Sequence, residues 1–248
     1  MLLAMKSIIT ISKFSSIYFL YYIKMSAKPE IAPLKYGSLL QNSFLTTYIV
    51  LFGYTAITLI EALRTTSTNT RHIMNIETTV SMLAGIVYGT FLEKMKQPHF
   101  DLSEIIPIRY IDWMITTPLI LLAIVLFYNK AAHSIDYRCY FILIALNWLM
   151  LLFGYLGERK VISSIKGLAI GFVFFAAMLL YMYAYLIPKG CSLTVFIIFG
   201  IIWSGYGIAY MLDEEEKNIA YNVLDITSKA LFGIVLWLYF GGVLSFTN

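Results

Sequence analysis

The sequence predicts an all-α membrane protein, a bundle of seven transmembrane helices. Three observations carry that expectation. The chain is 60% hydrophobic and 13% charged, with a mean hydropathy of +0.77, outside the range of ordinary soluble domains. Its apolar residues gather into seven runs of bilayer length, roughly 38–63, 74–94, 105–128, 137–157, 162–187, 193–212 and 219–245. The connectors between the runs are short, so neighbouring helices pack antiparallel and no sizeable soluble domain fits. A formal charge of +4, with no basic patch interleaved with aromatics, points away from nucleic acid. Cys139 and Cys191 stand in no metal-ligand spacing and read as free thiols. Neither a metal nor an enzymatic activity is expected.

Residues 1–37 form an N-terminal segment and connector, and residues 38–248 the bundle. The stretch 1–24 is mostly apolar, with Lys6, Lys13 and Lys24 and no acid. It fits a signal-like segment, an amphipathic helix in the interface or an additional span, and Met25 leaves an upstream extension open. Residues 25–37, with Lys28, Pro29 and Pro33, read as a polar connector. Glu61 and Arg64 close the first run, where an interfacial ion pair is the simpler reading and the lining of an oligomer's central pore the alternative. Glu77 stands at the start of the second run, either as an acid facing headgroups or as a cytoplasmic proton donor or part of a cation path.

The third run reads Arg109-Tyr110-Ile111-Asp112-Trp113-Met114-Ile115-Thr116-Thr117-Pro118-Leu119. Spacings of three and four put Arg109, Asp112 and Thr116 on one helical face, which must then point into the bundle and not at lipid. Pro118 frees the carbonyl one turn earlier, favouring a kink and a nearby water or hydroxyl. In the sixth run Trp203 and Tyr206, with Trp113, offer flat walls for an elongated ligand, and Tyr206 a hydroxyl toward Asp225. The last run carries Asp225 and Lys229, one helical turn apart at bilayer depth, where an unpaired charge costs about 2.5–3.5 kcal/mol or more. A buried lysine also loses its proton readily and can condense with an aldehyde. Two acids, Asp112 and Asp225, balance two bases, Lys229 and Arg109.

Orientation follows from basic residues in the loops. Arg64, Arg71, Lys130, Arg138 and Lys189 fall in the first, third and fifth connectors. The sixth is the acidic Asp213-Glu214-Glu215-Glu216-Lys217, and the second holds Asp101 and Glu104. Arg159 and Lys160 in the fourth weaken the bias without reversing it. The N-terminus is therefore placed outside and the C-terminus in the cytoplasm.

The third-run pattern Arg-Tyr-x-Asp-Trp-x-x-Thr-Thr-Pro-Leu resembles the microbial (type 1) rhodopsins. So do Asp-x-x-x-Lys followed by x-Leu-Phe-Gly in the seventh run and Trp-x-x-Tyr in the sixth. The resemblance spans about residues 38–245 and implies all-trans retinal, covalently bound to Lys229 as a protonated Schiff base. It implies Asp112 as primary counterion and proton acceptor, with Thr116 as its hydrogen-bond partner. Asp225 becomes the second counterion and Arg109 the outer gate. Trp113, Thr117, Met150, Trp203, Tyr206 and Ser228 match pocket positions, with Gly154 and Phe174 near the ring. The stretch around Ile76–Glu93 is similar to rhodopsins of large algal viruses.

Departures from the family pattern bear on function. Ala123 stands where pumps of the family carry a carboxylic donor, so reprotonation from the cytoplasm should be slow. Gly207 replaces the usual proline, Asn147 a common aspartate, and Phe91 a tyrosine near the counterions. No outer release group matches, with Glu214, Glu215 and Glu216 as stand-ins. The expected function is a light-driven outward proton pump; a light-gated channel for small cations and a photosensor signalling through a membrane partner are the alternatives. Lipid surrounds the bundle, and the resemblance implies a homo-oligomer, trimer or pentamer.

Overall fold

A computed structural model describes residues 36–129, 135–240 and 243–244. The expected N-terminal segment 1–24, most of the 25–37 connector, and Lys130 lie outside the described residues. The bundle belongs to the unit Ser38–Asn248. Among the described residues seven helices form it: α1 (Ser38–Arg64), α2 (Thr68–Met95), α3 (Ile106–Asn129), α4 (Tyr137–Glu158), α5 (Ser164–Tyr185), α6 (Thr194–Ala209) and α7. The last runs continuously through Glu214–Asp225, Ile226–Leu231 and Phe232–Phe240. Helix α1 packs on α2 and α7, α3 between α2 and α4, α4 on α5, and α6 on α7.

Most boundaries fall where the apolar runs end, and the exceptions have local causes. Helix α2 begins at Thr68, ahead of its apolar run, because Ser67 caps it by accepting from the Thr70 N–H. Helix α7 begins at Glu214, where three glutamates in the first turn meet the positive end of the helix dipole. Asp136 caps α4, and the Arg138 N–H that it accepts holds its carboxyl below the usual carboxylate range. Among the described residues, five helices are long and apolar enough to span a membrane. Helix α6, at 16 residues, is shorter than its run because 210–212 turn out of the helix. Helix α2 is long enough but polar at its inner end, where Glu77 and Ser81 are buried within the bundle.

Helices α4 and α5 meet backbone to backbone. A Cβ added at Gly167 would lie 2.8 Å from the Phe153 carbonyl oxygen and 3.0 Å from Gly157 Cα, so only glycine permits this crossing. Beyond it, α4 ends in a Schellman turn: Val161 N–H bonds Leu156 O and Lys160 N–H bonds Gly157 O, with Lys160 at φ 56°. Pro118 sits inside α3. The Met114 carbonyl it frees is taken up by the indole N–H of Trp148 on α4 at 3.0 Å, a donor from a neighbouring helix in place of a water or hydroxyl.

Candidate functional site: a buried ion-pair centre in an aromatic pocket

Lys229 lies in a π-helical turn over Ile226–Leu231, a local widening of α7 of the kind that gathers at functional sites. Its side chain is 1% exposed. Nζ donates to Asp112 Oδ2 at 2.7 Å and lies 3.3 Å from Asp225 Oδ2. Arg109 Nη1 is 3.8 Å from Asp225 Oδ2, so two buried cations face two buried carboxylates and the cluster is neutral overall.

The two carboxylates differ in how they are held. Asp225 accepts from Tyr206 (2.7 Å) and Trp113 Nε1 (3.2 Å) on Oδ1, and from Tyr88 (2.9 Å) on Oδ2. Three neutral donors and two cations thus stabilise its ionised form. Asp112 has Lys229 on Oδ2, while its Oδ1 is buried with no hydrogen-bond partner among the described residues. Asp112 is therefore the carboxylate with an oxygen to spare directly beside the amine. Thr116 does not complete it: its hydroxyl donates to the Asp112 main-chain carbonyl at 2.8 Å, the i−4 bond a helical threonine readily makes.

Arg109 is clamped by Tyr88 (3.1 Å), Asn222 (3.0 Å) and Asn218 (3.2 Å). Five aromatic rings surround its guanidinium, Phe44, Tyr88, Phe91, Trp113 and Tyr221, with centroids 5.2–5.9 Å away. The hydroxyl expected to be lost through Phe91 is supplied by Tyr88, one turn away on the same buried face of α2. Neither Tyr88 nor the asparagines were singled out from sequence. Asn218 and Asn222 continue the face of Asp225 and Lys229 outward at spacings of four, three and four, which is the signal that would have found them.

Next to Lys229 lies an apolar cavity lined among others by Trp113, Thr117, Met150, Gly154, Trp203 and Tyr206, with Ser228 beside the lysine. The Tyr206 and Ser228 hydroxyls are 2.8 Å apart, and Asn147 donates to Thr117 at 2.7 Å. Phe174 stacks on Phe153 at 5.6 Å, and its α5 neighbours Phe172 and Phe175 line the cavity. Gly207 makes room for the Phe172 ring, which a Cβ there would overlap.

The ion-path residues divide. Glu77 is buried, with Tyr54 donating to its Oε2 at 3.4 Å and its Oε1 without a partner among the described residues, so it does not face headgroups. Glu61 and Arg64 pair at 2.8 Å with the arginine exposed. Glu216 is exposed in the first turn of α7 and does not line the outer cavity described below; Glu214 does.

The bacteriorhodopsin-like protein family matches this chain over residues 39–242. Among solved structures, the viral rhodopsin OLPVRII is 35% identical, with a TM-score of 0.78 covering 84% of this chain and 100% of that one. The green-light absorbing proteorhodopsin of Gamma-proteobacterium EBAC31A08 is 28% identical over 149 residues, 52% of this chain; the match spans 59% of that relative's length. The blue-light absorbing proteorhodopsin of Gamma-proteobacterium Hot 75m4 is 25% identical over 185 residues, 64% of this chain and 71% of that one. A family match across nearly the whole bundle, with a viral relative aligned over its full length, makes this chain a microbial rhodopsin of the bacteriorhodopsin-like family, an integral multi-pass membrane protein.

Proposed function

We propose that the chain is a light-driven outward proton pump, with Lys229 as chromophore attachment point and Asp112 as the first proton acceptor. One observation carries the reading: the buried amine is 2.7 Å from a carboxylate oxygen, polar on its outer side and sealed on its inner side. Outward lie Arg109, Tyr88, Asn218 and Asn222, and beyond them a cavity of about 380 Å³. Inward the bundle is filled by Ile120, Ala123, Ile124, Phe199, Phe232 and Leu236, all buried.

The pocket suits retinal: apolar and aromatic walls run to a single buried lysine, with two acids placed to answer a cation at Nζ. Retinal joined there to the Lys229 nitrogen would supply light absorption and would make that nitrogen's proton affinity depend on light. The protein's residues do the rest. Asp112 takes the proton from the Lys229 nitrogen across 2.7 Å. Asp225, fixed by Tyr88, Tyr206 and Trp113, keeps its negative charge and holds the nitrogen's orientation. Arg109 presents positive charge on the outer side and discourages return. A carboxylate beside the amine disfavours an anion as cargo.

Vesicles carrying the retinal-loaded chain should change external pH under illumination, and a protonophore should abolish the change. A passive current that reverses with the ionic gradient would instead support a cation channel. The buried Glu77 favours that second reading: Tyr54 donates to it at 3.4 Å, and on nearby turns of α1 and α2 Thr55 donates to Ser81 at 2.9 Å and Thr78 to Thr58 at 2.9 Å. With neither pH change nor current, sensing through a membrane partner is left.

A further inference from the structure

The apolar cavity beside Lys229 is walled by residues of α3 to α7, and three of its four helix seams are closed by specific contacts. Between α3 and α4, Asn147 donates to Thr117 at 2.7 Å, Trp148 to the Met114 carbonyl at 3.0 Å and Tyr140 to the Pro118 carbonyl at 2.7 Å. Between α4 and α5, the crossing at Gly167 leaves no room for a Cβ. Between α6 and α7, Tyr206 bonds Asp225 at 2.7 Å and Ser228 at 2.8 Å, and the Leu224 side chain fits against Gly205. The seam between α5 and α6 is different. Among the described residues these two helices touch least of any consecutive pair. Outward, Tyr210 of α6 crosses to the Gly154 carbonyl at 3.2 Å; inward, Leu179 of α5 lies beside Gly200. Between those points the Phe172 ring of α5 lies in the recess at Gly207 of α6. Phe172 lines the cavity and is nevertheless 38% exposed, so this ring stands between the cavity and the outside of the bundle.

Resting on Lys229 as the attachment point, and not on pumping, we infer that the α5–α6 seam is the side door through which retinal reaches the lysine from the bilayer. Phe172 is the side chain that swings aside, and Gly207 is the recess that holds its ring when the door is shut. Retinal is an apolar polyene aldehyde that dissolves in lipid. From the outer side it would have to displace the buried network of Arg109, Asn218 and Asn222, stripping a charge of its partners. From the inner side it would have to part the packed Ile120, Ile124, Phe199 and Leu236. Turning one ring about two side-chain torsions leaves no buried polar group unpaired, and lipid takes up the apolar face it exposes. The aldehyde then joins the Lys229 nitrogen with loss of one water.

The test is the rate at which the full chain, prepared without retinal in nanodiscs, gains its visible band when all-trans retinal is added in the dark. Retinal is kept at doses where that rate still rises with dose, so that entry limits it. Phe172→Ala should load about tenfold faster than the wild type, because the closing ring is gone. Gly207→Ala, whose methyl group takes the place of the ring, should move loading in the same direction. Val173→Ala, on the outward side of α5 and 66% exposed, should load as the wild type does. If Phe172→Ala and Gly207→Ala load at the wild-type rate and only shift the band or lower the bleaching temperature, the ring is a plain pocket wall and the door fails alone. Acceleration by Val173→Ala as large as that by Phe172→Ala would mean a general loosening of α5 and would also overturn it. A wild-type chain that stays colourless with retinal overturns the attachment reading and the door together.

Discussion

Two buried carboxylates are held differently because their neighbours differ. Asp225 accepts from three side chains, whereas among the described residues Asp112 has Lys229 on one oxygen and no partner on the other. Asp112→Asn removes the negative charge nearest the nitrogen. The visible band should therefore shift to the red, and light-driven acidification should fall at least about a hundredfold. An absorption spectrum and a vesicle pH assay check both, and an unshifted band would count against the counterion role. Trp148 shows the same logic at the bundle surface. It is 49% exposed, yet its indole N–H is the donor for the Met114 carbonyl that Pro118 frees. Trp148→Phe leaves that carbonyl unpaired facing hydrocarbon and should cost about 1 kcal/mol, read as a lower temperature of thermal bleaching.

At the scale of the element, hydropathy marked the helices where side chains meet lipid and failed where they do not. The polar inner end of α2 and the acidic start of α7 are helical because of Ser67 and the dipole-facing glutamates, signals that an apolar window does not weigh. The charged cluster was legible because lysine and aspartate inside an apolar run have few alternatives to a functional role. Tyr88 was hidden among nineteen tyrosines. The end of α4 also carries a correctable strain. Lys160 adopts the left-handed conformation at the position of the Schellman turn where glycine is favoured. Lys160→Gly should stabilise the protein by about 1 kcal/mol, seen as a higher bleaching temperature with an unchanged visible band.

The whole molecule is asymmetric about Lys229, and in the proposed pump that asymmetry would set the slow step. Outward, the amine meets a polar network and a cavity; inward, it meets packed aliphatic and aromatic side chains, with Ala123 fully buried where a donor is expected. In the proposed pump a proton must cross that seal to recharge Lys229, and Glu77 is a buried acid in the inner half with one oxygen unpartnered among the described residues. If Glu77 hands over that proton, Glu77→Gln should slow recovery of the resting absorption after a flash by about tenfold or more and leave the first deprotonation untouched. A small weak acid that enters apolar regions in its neutral form, such as hydrazoic acid, should then speed recovery in the variant more than in the wild type, because it replaces the missing carrier. Recovery that is equally fast in both proteins would mean that the proton reaches Lys229 without Glu77, leaving the buried glutamate to the cation path that its hydroxyl neighbours outline.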